Sequence, residues 1–202
     1  PTADFPILLS LHSRTLVHPR WNCDIDVHHY WPGFLAEPQQ AFESLWQRRE
    51  AMSIADVAVD VPSLADSALV LALHSLREAG HVSGESRQLR EYRYLCERVR
   101  EDDALVRGVM AAAVDTDATQ TARPLLQELG FEIPLDPDPS EQLRRWNLNV
   151  HARNRMTGWM LELREAPFWR KPRVVLRAVF PTADELRAID PAIGRGMRSV
   201  IA

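Results

Sequence analysis

The apolar pattern of this chain changes at Pro62, and that change limits the folds open to it. Before Pro62 most apolar residues alternate with polar ones, as they do on β-strands. After Pro62 they recur every three or four residues, as on one side of an α-helix. Strands followed by helices are typical of the α+β class. We therefore predict a small mixed or antiparallel sheet over residues 1–61, followed by a helical bundle over residues 62–202.

Three strands are expected in the first part. Residues 7–17 carry leucines on both faces, which is typical of a strand buried inside a sheet. A turn at residues 18–22, containing Pro19, leads to a second strand that begins near Asp24, so the two form a hairpin. A helix follows from Pro38, and residues 54–61 alternate again as a short third strand.

The helices of the second part have clear start and stop signals. Ser63 with Asp66 is close to a capping box, and the helix that follows is predicted to end at Gly80. Gly130 is expected to close a helix after its last residue, and Ser140 to cap the next one. The predicted helices cover residues 87–101, 105–114, 119–129 and 141–164, with shorter turns at 173–180 and 183–189 and a proline linker at 132–139.

The net charge and the length of the apolar runs limit which partners we expect for this chain. The net charge is −4, so no overall positive field attracts nucleic acid. No apolar run approaches 18 residues, and we expect no membrane partner. Cys23 and Cys96 are far apart and form no C-x-x-C motif, which favours reduced thiols in a cytoplasmic protein. Pro1 is not an initiator methionine, and we expect the chain to begin within a longer gene product.

The stretch from Asn22 to Trp31 concentrates carboxylates and imidazoles. On a strand Asp24, Asp26 and His28 share one face, with neighbouring Cα atoms roughly 6.5–7 Å apart. Carboxylates at that spacing suit a hard cation such as Mg²⁺ or Mn²⁺, whereas zinc would need a further His or Cys cluster. Asp26 with His28 makes either a metal pair or an acid–base pair. The alternatives are an ordinary acidic strand face and a strand-end histidine that bonds to a turn.

Other candidates have plain structural explanations beside the functional ones. His74 lies among leucines, where a histidine is usually a core residue, and we assign it with His28 as a candidate substrate contact. Arginines at 144, 145, 153 and 155 form either a solvated helix face or a phosphate contact. The large aromatic residues of the second part are expected to pack inside the bundle: Trp146, Trp159, Phe168 and Trp169.

Four stretches, in this order and spacing, resemble a bacterial family of uncharacterised nucleotidyltransferases with a polymerase-β-like minimal fold. The first is an acidic strand that runs into histidine and tryptophan. The others are a helix after that strand, a short strand leading to a Leu-x-x-His helix, and a late Phe-Pro-Thr turn. They cover residues 24–31, 42–48, 59–74 and 179–187.

The resemblance implies transfer of a nucleoside monophosphate from a nucleoside triphosphate to an acceptor hydroxyl, with two Mg²⁺ ions. It assigns Asp26 as the third catalytic carboxylate and Asp24 as its outer neighbour. The family's Gly-Ser turn and Asp-x-Asp strand are not found in these residues. The resemblance therefore implies a C-terminal portion of the enzyme: strands of the catalytic core at 1–61, a helical domain at 62–202, and further catalytic residues upstream in the gene product.

Two other functions stay open at this point. The chain is alternatively a non-catalytic helical module that binds or regulates another protein. A weaker alternative is a small metal hydrolase built on Asp24, Asp26 and His28, which needs ligands that the spacing does not supply. A Gly-Ser turn followed by Asp-x-Asp in the upstream gene sequence would favour the transferase.

Overall fold

The structure is a computed structural model that describes residues 13–16, 20, 23, 25–79, 87–151, 159–160, 162–164 and 166–180. Contacts divide the chain into two compact units. One is His12–Val150, and the other joins Pro1–Leu11 to His151–Ala202. Antiparallel strand pairs and helices occur together in the described part, so the predicted α+β class is confirmed.

The first two strands form the predicted antiparallel hairpin. Strand β1 is Ser13–Leu16 and strand β2 is Ile25–His28, with Leu16 opposite Ile25. The predicted burial of the first strand in a larger sheet is not seen at Leu16, whose side chain is 47% exposed. The part of the predicted strand before residue 13 lies outside the described residues. Most of the predicted turn at residues 18–22 does so as well.

A loop at residues 31–36, called here the Gly33 loop, joins the first hairpin to the helical core. Gly33 has φ +99°, a conformation that glycine adopts without a steric cost. Its carbonyl accepts a hydrogen bond from Thr121 Oγ1 at 2.5 Å, and the Ala36 amide donates to the Thr116 carbonyl at 3.2 Å. The loop is thus held by residues 116–121.

The predicted third strand is confirmed over Val57–Val61, but its predicted start at residue 54 is wrong, because residues 50–61 form a second hairpin. Helix α1, Pro38–Gln47, is followed by β3, Glu50–Ile54, and β4, Val57–Val61, which pair antiparallel. The two-residue turn has positive φ at both Ala55 (50°) and Asp56 (63°), as in the type I′ turns that close hairpins. Such turns usually contain Asn-Gly or Asp-Gly, so Ala-Asp gave no turn signal in the sequence.

The helices of the bundle follow the predicted order. Their bounds are α2 Leu64–Ala79, α3 Arg87–Arg100, α4 Asp103–Asp115, α5 Arg123–Glu128 and α6 Glu141–His151. The predicted caps are confirmed: the Asp66 amide donates to Ser63 Oγ at 3.2 Å, and the Leu143 amide donates to Ser140 Oγ at 3.2 Å. Helix α5 starts at Arg123, later than the predicted residue 119. Pro124 lies in the first turn, because it lacks the N–H that a helix interior needs.

The core lies between α2, α3 and α4 and is closed by α5 and α6. Leu69 and Leu73 of α2 and Leu125 and Leu126 of α5 are at most 1% exposed, and each contributes roughly 2 kcal/mol of apolar burial. Alanines at 112 and 113 let α4 approach its neighbours closely. Phe34 of the Gly33 loop and Ala41 of α1 belong to the same core.

The described residues of the other unit include one regular helix near the end. A 3-10 turn at Phe168–Arg170 leads into α7, Lys171–Val179. Pro172 lies in the first turn of α7, where it starts the helix rather than breaking it. Positions 159–160 and 162–164 are helical, whereas 152–158 and the predicted turn at 183–189 are outside the described residues. No helix in the described part of the chain is long and apolar enough to cross a bilayer.

Candidate functional site

Asp26 lies in the middle of β2, opposite Thr15 of β1, and its side chain is exposed. His28, two residues later, shares that face of the strand, as the alternation predicted. Asp24 lies outside the described residues, so the predicted pairing of two carboxylates with His28 stays a prediction. The opposite face presents Ile25 and Val27, which are 42% and 50% exposed.

His28 connects the strand to the Gly33 loop. Its imidazole stacks on the indole of Trp31, with ring centroids 4.1 Å apart and planes 19° from parallel. Trp31 in turn packs against the buried core. Burial lowers the pKa of His28 below its ordinary value, because desolvation disfavours the charged imidazolium. His28 is therefore a neutral imidazole at pH 7, able both to donate and to accept a hydrogen bond.

His74 lies near enough to His28 for its charge to affect the pKa of that imidazole. Positive charge on Arg77, His29 and His74 lowers the pKa of His28 further, whereas the Asp26 carboxylate opposes these effects. His74 and Arg77 are one turn apart on α2 and lie on the same side of that helix. Leu73, on the buried side of α2, packs close to Gly33, since a Cβ added to that glycine would lie 2.9 Å from Leu73 Cδ2.

His74 itself is exposed, so its interpretation as a core histidine is wrong. The leucines around it, Leu69 and Leu73, occupy the buried side of α2, while His74 turns outward. Arg77 was missed in the sequence. The sequence does contain a sign of its position, because Arg77 follows His74 by three residues and this spacing places both side chains on one face of a helix.

The described residues do not form a metal centre by themselves. No group of three or more His, Cys, Asp or Glu side chains that could hold a metal ion occurs in the described ranges. Asp26 supplies one hard oxygen ligand, and Mg²⁺ is usually held by one or two carboxylates together with substrate phosphates. A magnesium site here thus needs ligands beyond the described residues, and the same holds for the metal hydrolase built on Asp24, Asp26 and His28.

Some predicted structural roles are confirmed and others are wrong. Arg144 and Arg145 lie on an exposed face of α6, and Arg145 bonds Glu141 one turn earlier at 2.5 Å. Trp146 is buried in the core, as predicted. Phe168 and Trp169 are 86% and 78% exposed, so their predicted packing inside the bundle is wrong. Arg153 and Arg155 lie outside the described residues.

Comparison with protein-family models, with curated proteins and with solved structures gave no match to this chain. The resemblance to the nucleotidyltransferases therefore depends on the sequence stretches alone.

Proposed function

We propose that this chain belongs to a metal-dependent nucleotidyltransferase and contributes one carboxylate and part of the phosphate-binding surface to its active site. The observation that carries the proposal is the position of Asp26. It is an exposed carboxylate on a strand, two residues from His28, with His74 and Arg77 within interaction range of that histidine. A reaction in which a hydroxyl attacks the α-phosphorus of a nucleoside triphosphate and pyrophosphate leaves needs a carboxylate next to groups that bind phosphate.

Each residue has a proposed role in this reaction. Asp26 accepts the proton of the acceptor hydroxyl and is available as a ligand for Mg²⁺ or Mn²⁺, with Asp24 as its neighbour on the strand. Arg77 and the two imidazoles of His28 and His74 contact phosphate oxygens of the nucleoside triphosphate. Mg²⁺, when bound, neutralises charge on the phosphates.

The remaining metal ligands are proposed to come from an upstream segment of the same gene product. The apolar face of the first hairpin supports such a partner, since Leu16, Ile25 and Val27 share that face and are each at least 42% exposed. A segment packed over this face would cover these side chains, and strands paired with the edges of β1 and β2 would extend the sheet. We place the protein in the cytoplasm on the same proposal, where nucleoside triphosphates are available and both free cysteines stay reduced.

The test is pyrophosphate release by the full-length gene product with Mg²⁺ or Mn²⁺ and each nucleoside triphosphate in turn. Asp26→Asn should lower kcat by about 100-fold or more, since it removes both the base and a metal ligand. Asp56→Asn is the matched control, because it removes the same charge from the turn of the second hairpin and should leave the rate unchanged. His74→Gln and Arg77→Gln should raise KM for the nucleotide more than they lower kcat.

Two results would overturn the proposal. One is full activity of the Asp26→Asn enzyme. The other is failure of the full-length protein to release pyrophosphate together with failure of Mn²⁺ to broaden NMR signals of Asp26 and its neighbours.

The second candidate function, a non-catalytic interaction module, is favoured by a different observation. In the register of β3 with β4, apolar side chains occupy one face of the second hairpin, and Met52, Ile54, Val57 and Val59 are each at least 39% exposed. Exposed apolar patches of this kind often mark protein interfaces. Absence of a Gly-Ser turn and an Asp-x-Asp strand upstream in the gene would favour this function over the transferase.

A further inference from the structure

The last described helix and the turn before it expose an unusual amount of apolar surface. Phe168 and Trp169 in the 3-10 turn are 86% and 78% exposed, and Phe180 after the helix is 69% exposed. Burying each large aromatic side chain would contribute roughly 1.5–3 kcal/mol, so leaving all three in water is unfavourable. This surface is suited to contact something less polar than water.

The helix α7 has an apolar face with basic residues at its border. Val175, Leu176 and Val179 are neighbours on one face and are 47–62% exposed. Together with Phe168 and Phe180 they line an open groove of about 480 Å³. Arg173 is turned away from Val175 and Val179 but lies one turn before Leu176, so it is at the border of the apolar face. Lys171 borders the groove, where its carbon chain can cover apolar surface while its ammonium stays in water.

The charge of this segment is opposite in sign to that of the chain. Residues 166–180 contain Arg170, Lys171, Arg173 and Arg177 and no Asp or Glu, whereas the whole chain has a net charge of −4. A partner complementary to this surface is therefore anionic as well as apolar. Val175, Leu176 and Val179 form a continuous aliphatic face that matches acyl chains, and the aromatic residues lie at its two ends, in the 3-10 turn and after the helix.

We propose that the surface of residues 168–180 docks on an anionic lipid bilayer, with α7 lying in the plane of the interface. Val175, Leu176 and Val179 would enter the acyl region, Phe168 and Trp169 would lie at headgroup depth, and the cations would contact lipid phosphates. None of the helices in the described residues is long and apolar enough to cross a bilayer, whereas a helix parallel to the surface needs much less length. This contact is independent of the proposed nucleotidyl transfer.

The experiment is co-sedimentation of the full chain with vesicles of phosphatidylcholine alone or with about one-third phosphatidylserine. Binding is expected only to the anionic vesicles, and it should weaken as salt is raised, because the headgroup attraction is screened. Because the chain as a whole is acidic, its overall charge repels these vesicles, so binding would have to come from the local basic and apolar surface. A blue shift of tryptophan emission that disappears in Trp169→Phe would place the 3-10 turn at the interface.

Two paired variants separate the charge contribution from the apolar one. Lys171→Glu with Arg173→Glu, and Leu176→Ser with Val179→Ser, should each lower the vesicle partition coefficient at least about tenfold. The matched controls are Arg90→Glu with Arg107→Glu on α3 and α4, and Val114→Ser with Leu135→Ser. These controls alter exposed residues elsewhere and should bind as the parent does. The helical circular dichroism of each variant should equal that of the parent, which separates lost binding from lost folding.

Three outcomes would overturn the proposal. The first is equal partition to neutral and anionic vesicles, or none to either. The second is equal loss in the α7 variants and their controls. The third is that the parent protein does not bind vesicles and instead binds another partner through α7. That partner would be a second copy of the chain, an acidic polypeptide or a single-stranded nucleic acid, and the α7 variants would abolish its binding.

Discussion

Arg48 at the end of α1 holds Asp66 in the first turn of α2 with a bidentate ion pair. Arg48 Nη2 donates to Asp66 Oδ1 at 2.7 Å and Nε donates to Oδ2 at 3.1 Å. The Asp66 side chain is fully buried, and Ser63 Oγ donates to its Oδ2 at 2.6 Å. Arg48 also reaches Asp115, the last residue of α4, at 2.5 Å. Three helices are thus joined through one guanidinium, and bonding to Asp66 raises the pKa of Arg48.

Replacing Arg48 should be costly for stability. Arg48→Met leaves the buried Asp66 carboxylate without its cation, and we expect the free energy of unfolding to fall by about 3–5 kcal/mol. In a thermal melt this corresponds to a Tm lower by roughly 10 °C. Arg107→Met removes an exposed arginine from α4 and should change the free energy of unfolding by no more than about 0.5 kcal/mol. A loss under about 1 kcal/mol for Arg48→Met would contradict this account.

Two glycines with positive φ allow backbone cost and crowding to be measured separately. A Cβ at Gly33 would lie 2.9 Å from Leu73 Cδ2 and 3.1 Å from Trp146, whereas a Cβ at Gly130 would meet nothing within 4 Å. Gly130→Ala should therefore destabilise by the conformational cost alone, about 1–2 kcal/mol. Gly33→Ala should cost about 1–3 kcal/mol more, as an overpacked core does. Urea unfolding of both variants would measure the difference, and equal losses would show that Leu73 and Trp146 move aside freely.

The titration of His28 should respond in opposite directions to its two neighbours. Asp26→Asn removes the carboxylate that favours the imidazolium, so the pKa of His28 should fall further. Arg77→Gln removes a cation that disfavours it, so the pKa should rise. NMR titration of the imidazole C–H signals would measure both shifts. Shifts of the same sign would contradict the positions of Asp26 and Arg77 near this imidazole.

The lowered pKa of His28 also sets a direction for stability against pH. The unfolded chain binds a proton at about pH 6.5, before the folded protein does, so protonation favours unfolding. The stabilisation is present above pH 6.5 and is lost as the pH falls through the lower pKa of the folded state. Unfolding free energies measured from pH 8 to pH 5 should fall less steeply for His28→Gln than for the parent. Equal slopes would contradict the burial of this imidazole.

The two cysteines should differ in reactivity. Cys23 is exposed, whereas Cys96 is 3% exposed and burial raises the pKa of its thiol. Thiolates, not thiols, react with alkylating agents, so the native protein should take up one equivalent of iodoacetamide rapidly. Mass spectrometry should locate that label on Cys23. In Cys23→Ser the remaining thiol should react only after denaturation, and rapid labelling of Cys96 in that variant would be inconsistent with its burial.

Local patterns determined much of this protein. The change of period at Pro62 predicted the α+β class, since strand and helix periods differ and both are visible in one sequence. Ser63 and Ser140 predicted helix starts correctly, because a cap depends on residues within one turn of it. The second hairpin was not predicted, because its Ala-Asp turn depends on positive φ values that those residue types do not signal.

The candidate site was only half visible in the sequence. The strand alternation placed Asp26 and His28 on one face, which a period of two residues determines by itself. That His74 and Arg77 lie beside them was decided by the tertiary structure, because it depends on Thr121 holding the Gly33 loop and on that loop packing against Leu73. The burial of Asp66 and the exposure of Phe168 and Trp169 were decided in the same way. Burial depends on which residues, far apart in the sequence, pack together, and a local sequence pattern does not determine those contacts.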